Sequence, residues 1–182
     1  RCGIPPQNVV CVDTAGRIGW TICGRIPRRV GFDGRRPVSW ADGACRWDGW
    51  LPAAEYPRLV DPPSGIIWTA NNRVTTGGDL LRVGDSGYDL GARARQIRDN
   101  LAAVSAPDEG AMLRLQLDDR ALFLARWRDQ VLAQLTPEAV TGHPGRAEFR
   151  RLVQHNWDGH ASTDSSGYRL VRAYRLTLLE EV

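Results

Sequence analysis

Asn71, Asn72 and Arg73, in the stretch "WTANNRV", are the residues of this chain best placed to do chemistry. They follow an apolar run, "GIIWTA", whose composition predicts a strand over residues 66–70. An asparagine at a strand end has two uses. Its tolerance of left-handed backbone and its self-bonding amide suit a turn. Its side-chain N–H, held on a rigid element, can also stabilise the oxyanion that forms on an attacked carbonyl. The other familiar constellations are missing. There is no G-x-S-x-G elbow and no H-E-x-x-H pair. His143, His155 and His160 stand beside Gly, Pro or Asn and read as exposed loop residues. "GGD" at 77–79 is too short for a phosphate loop. By spacing alone the chain offers no nucleophile paired with a base.

The elements that must position these residues run in the order strands, then helices. Val9 to Val12 and Ile18 to Cys23 flank the turn segment Asp13-Thr14-Ala15-Gly16, which predicts a hairpin. Residues 24–65 are rich in Gly, Pro, Arg and Trp and show no sustained period, so they read as a long loop. Trp40, Trp47 and Trp50 give it adhesive area, either for its own packing or for lining a ligand. Helical spacing begins at residues 89–104, with Leu90, Ala94, Ile97, Leu101 and Val104 on one face and Asp89 as cap. Ser105 and Asp108 suggest a loose capping box for a next helix. Further helices are expected from Asp118 to Leu135, from Thr136-Pro137 onward, and over about 165–180 with Leu170, Tyr174 and Leu178 in a stripe. Strands followed by helices imply an α+β class, with strands in 1–75 and mostly helix in 86–182. Three strands make a thin sheet, which implies neighbours supplied by a longer polypeptide.

Composition narrows the classes. The 182 residues carry 42% hydrophobic content, which fits a globular protein with a real core. No run approaches a membrane span. Every one of the 24 basic residues is arginine, scattered rather than clustered, and the net charge is only +3. Neither a nucleic-acid face nor a membrane surface is expected from such a pattern. Cys2, Cys11, Cys23 and Cys45 match no zinc spacing; disulfides in an exported protein and buried thiols both fit. The abrupt start, "RCGIPPQNVV", suits a processed or excised piece.

Several stretches together resemble the penicillin acylase (penicillin amidase) family of N-terminal-nucleophile hydrolases: "GIPPQNVVCVDTAGRIGWTICGRIPRR", "GWLPAAEYPRLVDPPSGIIWTANNRV", "YDLGARARQIRDNL", "LQLDDRALFLARW" and "NWDGHASTDSSG". The chain resembles an internal part of the large catalytic subunit. The resemblance implies a partial αββα sandwich, 1–182 being one portion of that core. It implies an amidase whose precursor cleaves itself, whose new N-terminal residue attacks a linear amide, and whose α-amino group is the base. It makes Asn71 the oxyanion donor, leaves Asn72 to shape the turn, and puts the family's active-site arginine on Arg93. Arg1 is no nucleophile, and Cys2 precedes a "GIPPQN" that lies well inside the family's subunit. The nucleophile is therefore expected outside this chain, and the isolated chain is expected to be inactive and to self-associate. The remaining parts of the same processed precursor are its expected partners, and an acyl amide its small-molecule substrate. A periplasmic or secreted location goes with the family. So does a structural calcium bound through an acidic residue between the Asn and Arg positions. Here Arg82 stands at that place, with Asp79 and Asp85 only nearby, so no cofactor is expected. The rival reading is a non-catalytic binding module that uses the Trp-rich loop.

Overall fold

The hairpin forms where the turn residues put it. In a computed structural model, which describes residues 6–85 and 87–181, β1 (Gln7–Val12) pairs antiparallel with β2 (Ile18–Cys23). The Asp13 carboxylate accepts the backbone N–H groups of Ala15 and Arg17 at 2.9 and 3.0 Å, and Gly16 takes the left-handed φ of 79° that closes the turn. Residues 24–65 are more regular than their composition suggests. They contain β3 (Pro27–Val30), β4 (Arg46–Trp50), a single 3-10 turn at Ala53–Glu55, and β5 (Arg58–Val60). β3 and β4 make a separate two-stranded ribbon with an irregular register, while β5 completes a three-stranded sheet of order β1-β2-β5. These strands are three to five residues long, too short to show a period of two in a sequence full of Arg, Gly and Trp.

The strand expected at 66–70 is not formed. That segment joins no ladder among the described residues, and apolar composition alone cannot make a strand without a partner to accept its hydrogen bonds. It is held by packing instead. Ile67 and Val74, on either side of the asparagines, pack against a small core of Trp20, Ile22 and Ile26. Period-two alternation on β2 places Trp20 and Ile22 on one face, and Trp20 donates its indole N–H to Asn8 at 2.9 Å.

The chain divides into two compact units, one ending at Ala106 and the other starting at Pro107. Two helices belong to the first, α1 (Gly77–Val83) and α2 (Ala92–Ala103), so the change from strand to helix is not the boundary between units. The second holds α3 (Glu109–Gln116), α4 (Leu122–Gln134), α5 (Pro137–Val140), α6 (Pro144–His155) and α7 (Ser166–Glu180). Asp108, Thr136 and Ser165 each accept a backbone N–H at a helix start, so the expected Ser105 capping box does not form: Asp108 is itself the cap of α3, one turn later. Helical spacing on α4 buries Leu124 and Val131, with Ala121 just before the helix, against Val153 of α6 and Val171 of α7. Tyr174 and Leu170 of the expected α7 stripe join this core, but Leu178 lies exposed.

Candidate functional site

Asn71 has a left-handed backbone, φ 61°, one of two non-glycine residues with positive φ among those described. Asparagine is among the side chains that tolerate this region best. Its neighbour Asn72 has both ends of its amide committed to the turn. The Asn72 Oδ1 accepts the Ala70 N–H at 3.0 Å, and its Nδ2 donates to the Arg73 carbonyl at 2.8 Å. Asn72 therefore builds the bend that Asn71 occupies.

Arg93 comes from the first turn of α2, and its Nη2 reaches back to this bend. It lies 3.1 Å from Asn71 Oδ1, 3.2 Å from the Ala70 carbonyl and 2.6 Å from Asp89 Oδ2. A guanidinium only donates, so the Asn71 atom that faces it must be the oxygen. The amide is thereby oriented, and its N–H end is turned away from the arginine. The Asn71 carbonyl is fixed in parallel, by the Asp89 N–H at 2.9 Å. Asp89 is not the helix cap that its position suggested. The residue preceding α2 is Gly91, with no side-chain cap, and the Asp89 carboxylate instead receives Arg93 and the Leu90 N–H. The Arg93 hydrogen bond, reinforced by Leu90, holds the Asp89 carboxyl below the ordinary aspartate range. The signal for this tie was present in "DLGAR", an Asp–Arg pair at i,i+4.

The return from the bend to Asp89 is pinned from below. Arg29 on β3 donates to the carbonyls of Arg82 and Val83 at the end of α1, at 2.8 and 3.0 Å. Gly84, φ 88°, leaves room for this guanidinium: a Cβ there would sit 2.9 Å from Arg29 Nη2. Burial pushes the Arg29 pKa down, with Tyr88 and Asp33 opposing. Behind the bend lies a cavity of about 380 Å³ walled by Trp20, Trp68, Ile67 and Val74, with Arg73 and Thr75 at its polar side. At the position where the resemblance puts an acidic calcium ligand, the Arg82 guanidinium lies 2.6 Å from Asp79 Oδ1. A metal ion there would meet a like charge, so these residues do not fit calcium.

The three histidines all belong to the second unit. His143 is an exposed loop residue just before α6, as expected, whereas His155 is the last residue of that helix, also exposed. His160 Nδ1 meets Asp119 Oδ1 at 2.6 Å across a short bridge in the second unit, a pairing 41 residues apart that no spacing announced. Cys11, Cys23 and Cys45 are free thiols, the first two exposed rather than buried; Cys2 lies outside the described residues. Phe32, Trp40, Trp47 and Trp50 contact one another at 5.8, 5.8 and 6.2 Å between successive ring centres, and the three tryptophans stay about half exposed.

Comparison with known proteins gives a consistent result. A family model described as penicillin amidase matches residues 1–182. The chain is 31% identical over 185 residues to penicillin acylase 2 proenzyme of Pseudomonas sp. strain SE83, covering 97% of this chain and 22% of that protein. It is 34% identical over 179 residues to acyl-homoserine lactone acylase QuiP of Pseudomonas aeruginosa, covering 93% of this chain and 21% of the relative. Among solved structures, a thermostable penicillin G acylase from Alcaligenes faecalis superposes with a TM-score of 0.53 at 20% identity, over 86% of this chain and 28% of that one. This last likeness is one of fold, and it agrees with the α+β class. The chain thus spans roughly a fifth of the length of the curated relatives it matches.

Proposed function

The chain belongs to the penicillin amidase family, and from that premise we propose that it carries the oxyanion donor of an acylase, Asn71, with Arg93 as its support. The parent protein cleaves an acyl amide of the kind that its relatives' names specify, a penicillin or an acyl-homoserine lactone. The nucleophile is an N-terminal residue contributed from outside this chain, together with the α-amino group that activates it. When that nucleophile attacks the amide carbonyl, negative charge gathers on the carbonyl oxygen. A neutral N–H already aimed at that point lowers the barrier without reorganising, and one such donor is worth ~10²–10³ in kcat.

The observation that supports Asn71 in this role is the asymmetry of the asparagine pair. Among the described residues the amide of Asn72 is used at both ends by the turn, while that of Asn71 is gripped at its oxygen alone. The reading carries with it the other parts of the same precursor as partners, an exported location, and no cofactor. The pure 182-residue chain should hydrolyse neither a phenylacetyl nor a fatty-acyl anilide, and the mature full-length enzyme should hydrolyse at least one. Turnover by the chain alone, blocked by a serine reagent, would overturn the assignment of the nucleophile.

A second reading rests on the exposed tryptophans of the β3–β4 ribbon, which suit a non-catalytic binding surface. It predicts a mature full-length protein that is inactive on both anilides.

A further inference from the structure

We propose that Asp89 is a positioning residue for the Asn71 amide: its carboxylate holds the Arg93 guanidinium in the one pose that turns the amide's N–H end outward. The proposal rests on the oxyanion reading of Asn71.

Three observations carry it. First, Arg93 Nη2 has two hydrogens and serves three oxygens, so at least one hydrogen is shared. Asp89 Oδ2 is the nearest of the three and the only charged one, and it decides where that nitrogen sits. Second, the carboxylate is itself immobilised. Its Oδ1 accepts the Leu90 N–H at 2.9 Å while Oδ2 takes the arginine, so both oxygens are engaged and the plane is set. Third, Asp89 meets Asn71 a second time, through its backbone N–H to the Asn71 carbonyl at 2.9 Å. One residue therefore fixes both the main chain of Asn71 and, through Arg93, the rotation of its amide.

The Arg93 and Asp89 side chains are 59% and 53% exposed, and an exposed i,i+4 pair adds little to stability. Its value here is orientation. Without the charge on residue 89 the long arginine gains solvent-facing rotamers, and Asn71 Oδ1 loses its donor. The amide can then turn over and present its oxygen, an acceptor, to the developing oxyanion.

The test uses mature full-length enzyme, checked by mass spectrometry for complete processing, and a chromogenic acyl anilide. Asp89→Asn keeps the shape and removes the charge. Its kcat should fall about tenfold, less than the ~10²–10³ expected for losing the donor itself. KM should stay within about twofold and the melting temperature should not move, because the amide acts on the transition state. In an Arg93→Ala background Asp89→Asn should cause no further loss, since it acts only through the arginine. Normal kcat in Asp89→Asn, or a loss that multiplies with that of Arg93→Ala, overturns the proposal. Asn71→Ala is measured beside it. If Asn71→Ala is impaired and Asp89→Asn is not, the Asp89 proposal alone falls; if Asn71→Ala is normal, the oxyanion reading falls with it.

Discussion

Val153 and Val12 are the same side chain in opposite situations. Val153, on α6, is wholly buried among helices of the second unit. Val12, at the end of β1, is 68% exposed on a three-stranded sheet whose outer strands also expose Val10, Leu59 and Val60. The second unit closes a core from its own helices, whereas the first leaves β-branched residues and sheet edges without cover among the described residues. A helix satisfies its backbone within itself and needs a neighbour only along one stripe. A sheet needs partners at both edges and on its faces, so a short one is the more dependent structure. Asn71 and Arg93 both lie in the dependent unit.

The sharpest way to break this contrast is to separate the units. Residues 107–182 made alone should melt cooperatively. Residues 1–106 made alone should show no sharp transition and should self-associate on light scattering. A sharp monomeric melt from 1–106 would show that its sheet needs no cover. Next in size, Val153→Ala should destabilise the second unit by roughly 2–3 kcal/mol, because it opens a cavity in a closed core. Val12→Ala should stay within about 0.5 kcal/mol in the isolated chain, measured by urea unfolding. Equal effects would remove the distinction. Ser165→Ala should cost about 1 kcal/mol, since this buried hydroxyl caps α7 at the Tyr168 N–H and donates to the Asn156 carbonyl.

The smallest effect is a pH dependence confined to the second unit. The hydrogen bond and charge of Asp119 raise the His160 pKa above 6.5, helped by Asp158 and Asp118. A raised folded value means that the imidazolium tie stabilises fully at pH below about 6.5 and is lost as pH climbs through the folded value. The melting temperature of the wild type minus that of His160→Gln should therefore shrink with rising pH. A difference that grows would contradict the geometry.

Legibility in the sequence divides along the same line. The helices of the second unit were largely readable, because their core stripe is periodic and Thr136-Pro137 marks a start, although α3 is capped by Asp108 and not by Ser105. α6 was the exception. Its start at Pro144 follows His143 and Thr141-Gly142, which read as loop. In the first unit the β1–β2 hairpin was readable from Asp13 and Gly16, but β3, β4 and β5 were not, since their pairing is set by register rather than by pattern. The segment before Asn71 misled in the other direction: its apolar run serves packing of Ile67 against Trp20, not a ladder. At the site, composition left the asparagines ambiguous between turn and donor. The atoms facing each amide, which come from Ala70, Arg73 and a helix 22 residues away, show that the turn uses both ends of the Asn72 amide, and no spacing in the sequence announces them. Asp89 was visible but misassigned, because an aspartate before a helix reads as a cap until the arginine's reach is known.

The central claim is that Asn71 donates to an oxyanion and Asn72 does not, and its most direct measurement is kcat and KM for Asn71→Ala and Asn72→Ala in the mature full-length enzyme on one acyl anilide. Asn71→Ala should lose roughly 10²–10³ in kcat with KM nearly unchanged, since the donor matters only once charge has formed. Asn72→Ala should act through stability, by about 1 kcal/mol, with kcat near normal at temperatures where it is folded. Near-normal kcat in Asn71→Ala would contradict the account, and a selective kcat loss in Asn72→Ala would move the donor to the neighbouring residue.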